Sequence, residues 1–120
     1  MAKDLDVIIL FDIYGEMLTQ KQQDFISYYY NDDLSLAEIA ENEGITRQGV
    51  RDAIKRAESQ LFAFEEQLGL QARLEKLREG MTEIRELCEV INEVNRRTVL
   101  SREINDSTAR IDVLTRMLSE

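Results

Sequence analysis

The chain of 120 residues has no proline, no histidine and no tryptophan, one cysteine (Cys88) and five glycines. Each shortage removes a class of structure or chemistry. Without proline and with little glycine, few points can break a helix. The abundance of Leu, Glu, Arg, Gln and Ala, which lose little rotamer freedom in helices, predicts an all-α fold. Without histidine, imidazole acid–base catalysis and the usual zinc ligand sets are out of reach. A lone cysteine forms no intramolecular disulfide, and the apolar helical surroundings of Cys88 predict a buried, inert thiol. Gly15, Gly44, Gly49, Gly69 and Gly80 lie too far apart for a phosphate-cradling loop. The adjacent pairs Asp32-Asp33 and Glu65-Glu66 have diverging side chains and suggest neither a metal site nor a hydrolytic dyad. The expectation is therefore no enzymatic activity, no cofactor and no metal. The start, Met1-Ala2-Lys3-Asp4, lacks the basic-then-apolar layout of a secretory signal, and the longest apolar run, residues 7–11, is too short to cross a bilayer. No membrane insertion and a cytoplasmic location are expected.

The net charge is -9, from 15 basic and 24 acidic side chains. Residues 1–18 carry one base and four acids, residues 19–64 five and eight, and residues 65–120 nine and twelve, so each segment nets -3. No basic domain hides behind an acidic tail. Strong sequence-independent attachment to a phosphate backbone needs clustered Lys and Arg, which this distribution does not supply. The five bases of residues 19–64 could still be focused on one small face.

Val7, Ile8, Phe11, Tyr14 or Gly15, and Leu18 recur at helical spacing, predicting a helix over residues 4–18. Thr19-Gln20-Lys21-Gln22 reads as a capping box opening a second helix to about Tyr30, with Phe25, Ile26 and Tyr29 inward. Tyr28-Tyr29-Tyr30 is read as core packing rather than a base-stacking platform: consecutive helical residues point in different directions, and Asn31-Asp32-Asp33 follows where a basic groove would be needed. Ser35 and Glu38 form a second capping box, with Leu34 and Ile39 as its hydrophobic staple, opening a short helix over residues 36–42. Gly44 suits a left-handed turn and Thr46 can cap the next helix at once. Val50, Ile54, Ala57, Leu61, Phe64 and Leu68 then alternate by four and three until Gly69.

Two helices joined by so tight a turn must touch at a small residue. Ala40 supplies that contact, Gly44 the turn, Ile45 and Val50 the wedge, and Leu36, Ile39 and Ile54 complete the small core expected of a helix-turn-helix over residues 34–68. The outward surface of its second helix carries Arg47, Gln48, Arg51, Asp52 and Lys55, with Arg56 to one side. In the usual docking mode Gln48 would read adenine, Arg51 guanine, and Arg47 and Lys55 phosphates or base edges, with Thr46 at an anion-accepting helix start. Asp52, Glu41 and Glu43 oppose this, and a solvated scaffold face is the competing reading.

Beyond Gly69, Leu74, Leu77, Met81, Ile84, Cys88 and Ile91 repeat the four-three spacing, Gly80 interrupts the face without breaking it, and residues 92–98 read as a bend. Leu100, Ile104, Ile111, Leu114 and Leu118 suggest a last helix, with Ser107 as a gap in its seam. The expected organisation is a four-helix segment, residues 1–69, followed by a helical hairpin or arm, residues 70–120. Either the arm packs on its own chain, or Leu74, Leu77, Met81, Ile84 and Ile91 form an oligomer interface; a stripe this long in a small chain favours a homodimer.

The stretch Leu36-Ala37-Glu38-Ile39-Ala40-Glu41-Asn42-Glu43-Gly44-Ile45-Thr46-Arg47-Gln48-Gly49-Val50 resembles region 4 of bacterial sigma factors, and the small YlxM family more closely. The aromatic-rich Leu10-Phe11-Asp12-Ile13-Tyr14, the segment Leu18-Thr19-Gln20-Lys21-Gln22-Gln23, the tyrosine-rich run through Ser35 and Ile54-Lys55-Arg56-Ala57-Glu58 follow that family's order of motifs across about residues 8–70. The resemblance implies a sigma region 4-like helix-turn-helix of the winged-helix-like DNA-binding superfamily with long C-terminal helices. It implies a nucleic-acid face of Arg47, Gln48, Arg51 and Lys55. It also implies a part in, or regulation of, the signal recognition particle protein-targeting pathway, because family members are typically encoded beside that particle's GTPase. DNA, the particle's RNA, and the GTPase or its receptor are the partners this implies. Gly49, inside the second helix, and the acidic balance depart from what a strong DNA reader needs.

Overall fold

The computed structural model describes residues 1–119, and among these it contains α-helices and no strand. In chain order they are α1 (Leu5–Tyr14), α2 (Gln20–Ile26), α3 (Leu36–Glu43), α4 (Arg47–Leu68), α5 (Leu70–Arg97) and α6 (Arg102–Ser119). The chain forms two compact units, Met1–Gln71 and a second that begins at Ala72. This division lies two residues from the boundary expected at Gly69.

In the first unit each helix starts on a local hydrogen bond. Asp4 caps α1 by accepting from the Asp6 N–H at 2.9 Å. A 3₁₀ turn, Gly15–Met17, continues α1 towards Leu18, close to the expected helix end. Both capping boxes form: Thr19 with Gln22, and Ser35 with Glu38. α2 widens into a π turn, Ser27–Asn31, which carries the three tyrosines. They do diverge: Tyr29 is buried and its hydroxyl donates to the Met1 carbonyl, while Tyr30 donates to Glu58 and Tyr28 sits beside Glu43. Gly44 closes α3 in the left-handed conformation, φ 69°, with its N–H and that of Ile45 both directed at the Ala40 carbonyl. Thr46 then caps α4 through Gly49 N–H at 2.9 Å.

α4 is the spine of this unit and packs against α1, α2 and α3. Val50, Ile54, Ala57 and Leu61 are fully buried against Val7, Leu10, Tyr14, Phe25, Ile26 and Ile39. Five side chains depart from the expected pattern. Ile45 is 41% exposed and is no part of the wedge; it follows the left-handed Gly44 and faces the outer side of α4 beside Gly49, while Ile39, Ala40, Val50 and Ile54 are buried in the core. Leu36 covers the edge of the core, half-buried. On α1, Leu10 takes the buried place and Ile8 is exposed, because α1 is apolar nearly all round and periodicity cannot choose its inner side. Leu68 is exposed at the end of α4.

Tyr14 ties the end of α4 to the start of α5. Its hydroxyl donates to Glu65 Oε1 at 2.7 Å and accepts from Leu70 N–H at 3.0 Å, and the same Glu65 oxygen accepts from Gln71 N–H at 2.9 Å. The first amides of α5, which have no partner inside the helix, are thus satisfied by side chains from α1 and α4.

In the second unit α5 does not bend within residues 92–98 but runs on to Arg97. Asn92 and Asn95, within the stretch expected to bend, have partners across the hairpin. Asn95 exchanges two hydrogen bonds with the Ser101 backbone, at 2.9 and 2.8 Å, and Asn92 accepts from Thr108 at 2.5 Å. The reversal falls at residues 98–101, with Leu100 left-handed at φ 54° and its N–H on the Asn95 carbonyl. These pairings, with Glu89 facing Arg116, set α5 and α6 antiparallel as a hairpin. Its buried seam is small and polar: Cys88, Asn95, Thr108 and Thr115. Cys88 therefore leaves the expected stripe for the seam, Met81 is half-buried, and Leu74, Leu77, Ile84 and Ile91 stay exposed.

Candidate nucleic-acid interface

The core contacts of the first turns of α4 lie on its inner side. Val50, Ile54 and Ala57 fix the helix against the core, leaving Arg47, Gln48, Arg51, Asp52, Lys55 and Arg56 exposed on the outer side. The spacing of Arg47, Arg51 and Lys55, four residues apart, lines them along one ridge. Among the described residues none of these three has an ion-pair partner; the pairs present are Lys3 with Asp33, Arg96 and Arg97 with Glu93, and Arg116 with Asp112. Cations without an internal partner keep their charge available to an outside anion.

Two of the expected acidic obstacles have other partners. Asp52 accepts from the Gln48 amide at 2.9 Å, and the Arg56 guanidinium lies on the Asp52 carbonyl at 3.4 Å. Glu43, at the end of the supporting helix, faces the Tyr28 hydroxyl and pushes its pKa up by charge repulsion of the phenolate, with burial adding to the shift. The Gln48–Asp52 bond has a cost for the reading role assigned to Gln48. It holds one amide N–H in the ridge, so a two-point contact with adenine requires Gln48 to turn or to use its second N–H.

Thr46 Oγ1 accepts from Gly49 N–H as the cap of α4, and its hydroxyl hydrogen remains to donate to an anion at the helix start. The amides of Arg47 and Gln48, at the helix start, are also suited to an anion there. A Cβ on Gly49 would stand 3.2 Å from Thr46 Oγ1 and 3.7 Å from Ile45 Cδ1, so the glycine that loosens α4 also leaves room for its cap.

The sequence counts Lys21 among the five bases of residues 19–64 without placing it beside α4. The fold brings the start of α2 beside α4, where Lys21, Phe25, Ile45, Gly49, Ala53 and Arg56 line a groove of about 400 Å³. Lys21 and Arg56 are thereby gathered on one groove although 35 positions separate them, and no local signal in the sequence announces the pairing. All five bases of residues 19–64 consequently lie on or beside the outer side of α4.

Comparison with known proteins agrees with this architecture. Residues 1–102 match the family described as "Putative helix-turn-helix protein, YlxM / p13 like" (UPF0122). Among curated relatives, a UPF0122 protein of Desulforamulus reducens is 49% identical over 84 residues, 70% of this chain and 67% of its own length. One from a Thermoanaerobacter species is 40% identical over 110 residues, covering 92% of this chain and 94% of the relative. One from Halalkalibacterium halodurans is 46% identical over 86 residues, 72% of this chain and 79% of the relative. No helix among the described residues is long and apolar enough to cross a membrane. With its capped helix-turn-helix and the match over most of its length, the chain belongs to the YlxM/p13-like helix-turn-helix family.

Proposed function

We propose that the protein is a non-enzymatic, cytoplasmic regulator that binds nucleic acid through the outer face of α4, acting in or on the signal recognition particle protein-targeting pathway. The observation that carries the binding reading is the ridge Arg47, Arg51 and Lys55, exposed and free of internal ion pairs on the second helix of a helix-turn-helix. Arg56 and Lys21 extend it along the adjoining groove. The place in protein targeting rests on the family resemblance, which favours the particle's RNA as target beside DNA. With net charge -9 the contact is modest, and it depends on the local ridge rather than the whole-molecule field.

The test is binding of duplex DNA, and separately of the particle's RNA, by fluorescence anisotropy over a salt series. Each phosphate neutralised contributes roughly 0.9 to the log–log salt slope on duplex DNA, so five cations limit the loss between 50 and 200 mM salt to roughly 500-fold. Arg51→Ala with Lys55→Ala abolishes the retained binding; unchanged affinity in that double variant rules out this face.

The acidic balance favours a second reading, an adaptor that touches the particle's GTPase or its receptor directly. Co-purification with either protein that survives nuclease treatment, and is lost when the hairpin is altered, distinguishes it. A homodimer would present two α4 faces at once, and the surface available for pairing lies in the hairpin.

A further inference from the structure

The hairpin buries the wrong side chains for a finished structure. Its internal seam is made of Cys88, Asn92, Asn95, Thr108 and Thr115, while its large aliphatic residues are left in water. Ile84, Leu87, Ile91 and Val94 on α5, and Ile104, Ile111, Leu114 and Leu118 on α6, are between 37% and 68% exposed. At 3.6 residues per turn, each of these sets lies roughly a quarter turn from the seam residues of its own helix, in the same rotational sense. Because the helices run antiparallel, equal rotations bring both sets to the same side of the hairpin. The other side carries the charges, with Glu86, Glu89, Glu93 and Arg96 around a groove that Val90 also lines. The hairpin is therefore a two-helix layer with one charged face and one aliphatic face.

We propose that this aliphatic face pairs with the same face of a second copy of the chain, closing a four-helix bundle. Eight aliphatic side chains leave on the order of 600 Å² of apolar surface per copy, at the upper end of what a monomer exposes and close to the roughly 800 Å² each partner buries in a standard interface. Neither set contains a charged group, and Ser107, between Ile104 and Ile111, is a small polar gap in the α6 row, so the face offers nothing to a charged partner. A flat layer two helices wide is best covered by another such layer, and a two-fold axis lets the same apolar face serve both partners. This interface keeps Ile84 and Ile91 from the stripe read along α5 and adds Leu87, Val94 and the α6 residues. It leaves out Cys88, which turns to the seam, and the half-buried Met81. The pairing is independent of the nucleic-acid reading: a dimer with no affinity for nucleic acid would remove that reading and leave this one intact.

The test is sedimentation equilibrium of the full chain over a dilution series, with the double variant Ile91→Glu, Leu114→Glu and the control Glu86→Gln on the charged face. The expected result is twice the 14.0 kDa chain mass for the wild type and the control, and 14.0 kDa for the double variant. Every tyrosine and phenylalanine lies in residues 1–71, so near-UV circular dichroism reports whether the first unit stays folded in each sample. A milder variant, Ile91→Ala, weakens association by at least about tenfold without introducing charge, which covers the case in which the Glu variant loses its hairpin. A wild-type mass of 14.0 kDa at all concentrations, or dissociation by the control as complete as by the double variant, overturns the proposal.

Discussion

Tyr14→Phe removes one oxygen atom and leaves the ring. The ring keeps its place in the core, where it is 1% exposed and meets Phe64 at 5.9 Å between centroids, so the variant opens no cavity of consequence. What is lost is a 2.7 Å hydrogen bond to the Glu65 carboxylate and the acceptor for Leu70 N–H. A hydrogen bond to a charged group is worth about 1.5–3 kcal/mol net. The Leu70 amide adds little, because Leu70 is partly exposed and water can reach the end of α5. Glu65 retains Gln71 N–H, which limits the loss from its side. The expected destabilisation is about 2 kcal/mol, read as a fall in the urea midpoint of roughly 1 M with an unchanged m value. Near-UV circular dichroism from the remaining tyrosines, all in the first unit, follows the transition. Glu65→Gln and the double variant complete a cycle whose coupling should be about 1–2 kcal/mol. A loss below about 0.5 kcal/mol, or a coupling near zero, would show that the joint between α4 and α5 is held by packing and that the hydroxyl is incidental.

Gly44→Ala should cost about 1–2 kcal/mol, since the site is left-handed at φ 69° while no atom lies within 4 Å of an added Cβ. Gly44→Asn, whose side chain tolerates that conformation better, should cost less in the same thermal melts; equal losses would point to a clash instead of backbone strain. Alkaline pH should destabilise the first unit. Burial and then Glu65 raise the Tyr14 pKa, burial and then Glu58 raise that of Tyr30, and Glu43 and then burial raise that of Tyr28. The folded state therefore holds these protons above the ordinary value of 10.0, so their contribution is complete below pH 10 and is lost as pH rises through the folded values. The urea midpoint should be flat to that point and then fall, less steeply in Tyr30→Phe.

The sequence alone determined the elements whose causes are local. A capping box, an N-cap or a left-handed glycine acts over three to five residues, and Thr19-Gln22, Ser35-Glu38, Gly44, Thr46 and Gly69 all form the contacts that their spacing implied. The buried stripe of α4 was legible for the same reason, since a 3.6-residue period is a property of one helix. The exposed cations of that helix were legible as its complement. Tertiary structure alone decided which way ambiguous side chains turn. α1 is apolar nearly all round, so only its packing on α4 could choose Leu10 over Ile8. Ile45 lies outside the core because a single left-handed residue redirects the chain just before it. Lys21 reaches the α4 groove through the docking of α2, and Asp52 is bound to Gln48 through a rotamer that no spacing rule specifies. In the hairpin the sequence displayed one long apolar stripe, and the antiparallel pairing divided it, giving the seam to Asn92, Asn95 and Thr108 and leaving the aliphatic side chains exposed. Helix periodicity specifies that a face exists; which face meets which neighbour is set by pairings between residues distant in the chain.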